Sequence, residues 1–357
     1  LNRLKQYGKI VPNLSYLQVY STSSRKKTID QKIETWKNKV GYEPKGFMSF
    51  VPDTYAAQYL LEKNIKYLVG YCFDQYTIDY MTMRGAWQLP YYANPLHVNI
   101  PNNYSLGFII FPHSTWDWIE SLRIDHRLSL HPMTLMSFFN GNHEKAKDYF
   151  LNLMDYSIRS CEPFGMAVCQ FEWEWCVDWG YDDEVKNWIN TSITTRNYEF
   201  WDFESVAQWF IENFRFTPTY TVDFISPYSK ARIEWYHDLN SRIARIGSEV
   251  VSYVNYREQI SDPYISGTAS INWGIPPSDR NCIDTSLSFE IDALGGGNLR
   301  SPIKTSSYCY EEKLSEFAQY YPLSKEKSKE LSELIPCLIL LFCFAFSVAI
   351  VKKIIKK

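Results

Sequence analysis

Residues 165–179 read G-M-A-V-C-Q-F-E-W-E-W-C-V-D-W. From Gln170 to Trp175 polar and aromatic side chains alternate. The period of two predicts a strand with Gln170, Glu172 and Glu174 on one face and Phe171, Trp173 and Trp175 on the other. Carboxylates at i and i+2 on a strand stand about 6.5–7 Å apart at the Cα. From there Glu172 and Glu174 reach either carboxyl spacing used in glycoside hydrolysis. One of them would act as the acid if the adjacent indoles raised its pKa.

A second pair is His131 with Asp117, at the ends of neighbouring predicted strands, where an imidazole and a carboxylate suit general acid/base work. His113 is the other partner in sequence reach of Asp117. Trp173, Trp116 and Trp87 offer flat apolar faces for a pyranose ring, and Arg84 sets a cation beside Trp87. Asp74 and Gln75 directly follow a predicted strand, where polar groups need a reason. These six residues are the expected substrate-binding set. His131, Asp117 and Glu172 have the composition of a zinc site. No ligand spacing supports one, so no metal is assigned and no cofactor is expected.

The bulk properties narrow the partners. The chain has 357 residues and a formal net charge of −3, and its basic residues are mostly scattered, so there is no nucleic-acid footprint. Its 12 Trp, 27 Tyr and 21 Phe suit a protein that stacks sugar rings as well as a large core. Residues 334–351 are an uncharged apolar run, followed by Lys352, Lys353, Lys356 and Lys357. That is about the minimum length for a membrane-spanning helix, and the lysines place the C-terminus in the cytoplasm. The expectation is a single-pass cell-membrane protein with its bulk outside the cell. Six cysteines precede this run and are candidates for disulfides in an exported domain. Residues 1–8 read as the end of a helix stopped by Gly8, so the chain is expected to continue upstream of Leu1.

The elements that must position these residues alternate. Strands are predicted near 15–21, 46–50, 65–71 and 106–111, with helices over 28–40 and 55–63 between the first three of them. Further helices cover 144–159, 183–189 and 203–213. Strand–helix–strand runs with short links imply parallel strands covered by helices. The fold class is therefore α/β: a partial or irregular β/α barrel, then a smaller β-rich domain and a C-terminal transmembrane helix. The divisions are 1–216 for the barrel, 217–298 for the β-rich domain, 299–333 for a stalk, 334–351 for the span and 352–357 for a basic tail. In the second domain strands are predicted at 220–224, 231–236, 241–246 and 250–256.

The segment 27–69 resembles the polysaccharide-deacetylase family within the wider glycoside hydrolase/deacetylase β/α-barrel group. There a helix leads to G-F-R-x-P-Y-G at a strand end; here the run is G-F-M-S-F-V-P-D-T. P-H-S-T-W-D-W and L-S-L-H-P are similar to that family's Asp-Trp and L-L-H segments, and the likeness covers about 11–171. The resemblance implies a barrel whose site lies at the strand ends. Met48 stands in place of the family's arginine, and Tyr20-Ser21-Thr22-Ser23-Ser24 stands in place of its zinc-binding H-S/T-x-x-H. Among these positions His131 alone is retained. The expected function is a membrane-anchored, extracellular carbohydrate-active protein: a polysaccharide hydrolase or deacetylase-like enzyme acting on polysaccharide or cell-surface glycan. The alternative is a non-catalytic glycan- or cell-surface-binding protein on a degenerate barrel of this kind.

Overall fold

A computed structural model of the chain describes residues 9–14, 22–49, 54–71, 89–94, 97–102, 108–112, 114–120, 128–196, 198–247, 249–255, 289–290 and 345–352. Helix α1 (Thr22–Val40) leads to β1 (Gly46–Met48), α2 (Thr54–Glu62) and β2 (Tyr67–Tyr71). β3 (Tyr91–Asn94), β4 (His97–Pro101) and β5 (Ile109–Pro112) follow. β1, β2 and β5 are parallel neighbours, with Gly46 opposite Tyr67 and Tyr67 opposite Ile109. β1 and β5 are buried throughout, as strands covered on both faces must be. An isolated parallel bridge from Asn13 to Met48 extends this array.

The expected barrel does not close among the described residues. After β5 the sheet is completed by β3, antiparallel to β5, and by β4, antiparallel to β3, in the order β1-β2-β5-β3-β4. β3 and β4 are joined by a two-residue link, as an antiparallel pair allows, and the antiparallel β3 ends the parallel array. The observed class is mixed α/β.

The next elements carry the residues of interest. α3 (Pro132–Phe138) and α4 (His143–Arg159) precede β6 (Cys161–Glu162) and β7 (Gly165–Glu172). α5 (Trp173–Asp178), α6 (Asp182–Arg196), β8 (Glu199–Trp201) and α7 (Phe203–Asn213) follow. α4 packs its apolar face, including Phe150, Leu153, Met154 and Ile158, into the core. The contact is close: a Cβ on Gly165, the first residue of β7, would collide with the backbone carbonyl of Ile158.

Beyond α7 come β9 (Tyr220–Ile225), β10 (Arg232–His237), β11 (Ser241–Ile246), β12 (Glu249–Asn255) and β13 (Phe289–Glu290). They form an antiparallel sheet in the order β13-β12-β11-β10-β9-β6. Burial alternates residue by residue along β9 and β10, as expected of a sheet with one face in the core. β6 lies ahead of the expected boundary at 217, and one buried cluster takes in side chains from both sides of it. Tyr92 N–H donates to Thr217 Oγ1 at 3.0 Å and Tyr220 OH to the Pro90 carbonyl at 2.6 Å, tying the two sheets together.

Residues 345–352, most of which fall in the run expected to span a membrane, form β14 (Ala345–Lys352). It lies antiparallel between β7 and β8. A short apolar stretch rich in β-branched residues suits a buried strand as well as a helix, and periodicity does not separate the two. Residues 334–344 lie outside the described residues. Among the described residues no helix is long and apolar enough to cross a membrane.

Candidate functional site

Glu172 is the last residue of β7, and three sets of bonds bring a histidine to it. Thr115 N–H donates to the Val168 carbonyl at 2.8 Å, and Val168 N–H returns to Thr115 Oγ1 at 2.7 Å. Trp116 bridges Ser129, and Leu130 N–H donates to the Thr115 carbonyl at 2.8 Å. Cys169 Sγ–H donates to the Leu130 carbonyl at 3.1 Å. Residues 128–130 are thereby laid beside β7, and the next residue, His131, meets its end.

His131 is also the N-cap of α3, with extended backbone and Pro132 at the first helical position. Its Nδ1 accepts from Thr134 N–H at 3.3 Å. A ring nitrogen that accepts from an N–H carries no proton of its own, so Nε2 holds the hydrogen in the neutral ring. Nε2 faces Glu172 Oε2 at 2.6 Å. Gln170, two residues back on the same strand face, donates from Nε2 to Glu172 Oε1 at 3.0 Å. Each carboxylate oxygen of Glu172 thus has a side-chain donor. Its side chain is 9% exposed and that of His131 14%, so the pair stands at the edge of the core.

The alternation that joined Glu172 to Glu174 breaks at this point. Glu172 is the N-cap of α5, and Glu174 is exposed in that helix's first turn. Residues i and i+2 of a helix do not face each other, so the expected carboxylate pair is not assembled. Inward positions at i and i+3, half-buried Trp173 and buried Cys176, satisfy the core through a helix. The ending was legible. Gly180 adopts φ +72°, Tyr181 N–H donates to the Cys176 carbonyl at 2.7 Å, and Gly180 N–H donates to the Val177 carbonyl at 3.0 Å. That is a Schellman stop, for which glycine after a short apolar stretch is the sequence signal.

Asp117 is not the partner of His131. It is fully buried, and Tyr149 OH and Ser226 Oγ both donate to its Oδ2 at 2.7 Å. The N–H groups of Ile119 and Glu120 donate to Oδ1, each at 3.1 Å. Burial pushes its pKa up to about 6, against the lowering effect of the Tyr149, Ser226 and Glu120 N–H donors; the Glu120 carboxylate adds to the rise. Asp117 joins the 114–120 segment to α4 and to the turn after β9.

The aromatic candidates separate as well. Trp116 is buried in the core rather than presented to a ligand. Trp173 is half-buried, with Lys186 Nζ 5.4 Å from its ring centre. Trp87, Arg84, Asp74, Gln75 and His113 lie outside the described residues. Among the described residues no group of three or more His, Cys, Asp or Glu side chains could hold a metal. Cys161, Cys169 and Cys176 are buried free thiols, so these three do not form the disulfides considered for an exported domain. The residues whose role sequence reasoning missed are Gln170 and Thr134, which orient the carboxylate and the imidazole. Gln170 was visible as the in-phase neighbour of Glu172. Thr134 carried the weaker signal of a hydroxyl residue three positions after an N-cap.

Residues 8–216 match a protein family described as "Domain of Unknown Function with solved-structure structure (DUF3863)". The chain belongs to this family. The matched span contains Asp117, His131, Gln170 and Glu172, and every element from α1 to α7. No curated protein and no solved structure matches the chain.

Proposed function

We propose that this chain is a carbohydrate-active protein of the deacetylase-like or hydrolase kind, working on a polysaccharide or cell-surface glycan through Glu172. The observation that carries this reading is the 2.6 Å contact between His131 Nε2 and Glu172 Oε2, with Gln170 on the other oxygen, at the end of a buried strand. Two side-chain donors fix the carboxylate's orientation, the arrangement a general base or nucleophile needs before substrate arrives. His131 positions Glu172 rather than attacking, because both of its ring nitrogens are engaged. The strand-end location agrees with the resemblance to the deacetylase barrel group, whose sites lie there.

The exposure of Glu174 favours a second reading. Exposed in the helix that follows, Glu174 does not form with Glu172 the carboxylate pair of two-carboxylate hydrolysis, and in this reading the same corner binds glycan without cleaving it. Glu172→Gln separates the readings. On the first, release of reducing ends or acetate from chitin, xylan and peptidoglycan is abolished while the fold persists. On the second, the native chain binds and releases nothing.

The anchor belongs to the same reading. In it residues 334–351 leave the place that 345–351 hold beside β7 and β8 and, with the lysines after them, hold the body of the chain outside the cell. Deleting 334–357 then moves the protein out of the membrane fraction, and a truncated chain that still sediments with membranes contradicts it.

A further inference from the structure

Two indoles stand clear of the core one and two turns beyond Glu172. Trp175 is 39% exposed and Trp179 52%, with Val177 between them 50% exposed. The two rings lie within 10° of parallel, with centroids 6.3 Å apart. At i and i+4 they share one side of the helical turn, and their rings lie parallel to each other rather than as two unrelated side chains. The backbone beneath them is pinned by buried Cys176, by the Schellman stop at Gly180, and by Trp179 N–H donating to the Trp175 carbonyl at 3.0 Å. The platform therefore exists before any ligand binds, which lowers the ordering cost of binding.

We propose that Trp175 and Trp179 are a glycan subsite that carries the apolar face of neutral pyranose units leading away from Glu172. This inference rests on the carbohydrate reading of the Glu172–His131 corner. α5 begins directly at Glu172, and a rise of about 1.5 Å per residue places the two indoles roughly 5 and 10 Å along from it. A chain engaged at Glu172 passes over both. Exposed Glu174 and Asp178 flank the rings. Carboxylates there disfavour an anionic lipid surface and accept hydrogen bonds from sugar hydroxyls at the edge of a stacked ring.

The test is calorimetric titration of the full chain, of the Trp175→Ala/Trp179→Ala double variant and of Glu172→Gln. The probes are hexamers of β-1,4-linked N-acetylglucosamine, β-1,4-linked glucose and α-1,4-linked glucose. The native chain is expected to bind at least one hexamer. The double variant should lose roughly tenfold in affinity per indole at an unchanged melting temperature. Equal affinity in the double variant overturns the subsite, as does a native chain that binds no hexamer. So does a native dimer that the double variant dissociates, since the indoles then face a second copy. If the indole variants lose binding while Glu172→Gln keeps full turnover, the subsite stands and the role of Glu172 falls.

Discussion

Asp117 and Glu172 are both carboxylates flagged by their neighbours in sequence, and the fold treats them in opposite ways. Asp117 has four donors, two from backbone N–H groups and two from hydroxyls on separate elements. Nothing about it faces outward. Glu172 has two side-chain donors, sits at a strand terminus, and is followed at once by a helix carrying exposed indoles. A carboxylate saturated by groups from three elements holds a fold together. One that is oriented but near the surface is placed to meet a ligand. A shared vocabulary of His, Asp and Trp in the sequence does not distinguish these cases; the origin of the donors does.

The largest effect that separates the two is expected at Asp117. Asp117→Ala strands the Tyr149 and Ser226 hydroxyls and two backbone N–H groups, and should cost about 3–5 kcal/mol in chemical denaturation. A loss below about 1 kcal/mol would remove Asp117 from its structural role.

The next effect is in pH. The folded pKa of about 6 lies above the ordinary aspartate value of 3.8, so the folded state binds the Asp117 proton more tightly than the unfolded chain does. The stability contributed by that proton is complete below about pH 4 and is lost as pH rises through about 6. A shift of about two units corresponds to about 3 kcal/mol. Both neighbouring hydroxyls can rotate from donating to accepting, so protonation leaves them satisfied. Native stability relative to Asp117→Asn should therefore fall between pH 4 and pH 7 in urea titrations. A flat difference would mean that the buried carboxyl does not titrate in this range.

Gly165→Ala tests the seating of the strand that carries Glu172. The new Cβ meets the Ile158 backbone, which is not the movable end of a side chain, and should cost about 2 kcal/mol. Smaller again is His131→Asn, which keeps an N-cap for α3 and removes the donor to Glu172. Its expected cost is about 1 kcal/mol, with loss of activity out of proportion to that cost. Activity that falls only with the folded fraction would make His131 a cap and nothing more.

Much of the frame was legible in the sequence. Helix α7 and strand β11 occur over the predicted residues, and β9, β10 and β12 lie within one residue of theirs at each end. In these segments the hydrophobic period is long enough to be unambiguous. The failures came where a pattern was short or shared by two structures. Six alternating residues at 170–175 suited a strand, but the strand ends at Glu172 because buried Cys176 and the glycine stop at 180 define a two-turn helix. Of the apolar run near the C-terminus the described part is β14, and residues 334–344 lie outside the described residues. His131 and Asp117 were paired because they end adjacent predicted strands. The Trp116–Ser129 bridge sets those segments side by side, yet His131 turns to β7 and Asp117 to α4. The reach of a side chain across elements is a tertiary fact, and no local spacing encodes it.

The central claim is that Glu172 does the work and Asp117 holds the fold. Its most direct test is product release from the polysaccharide panel by Glu172→Gln, at a protein concentration corrected for the folded fraction. The account predicts a folded chain with a melting temperature near native and no released sugar or acetate above background. A Glu172→Gln chain that turns over substrate at the native rate would contradict it.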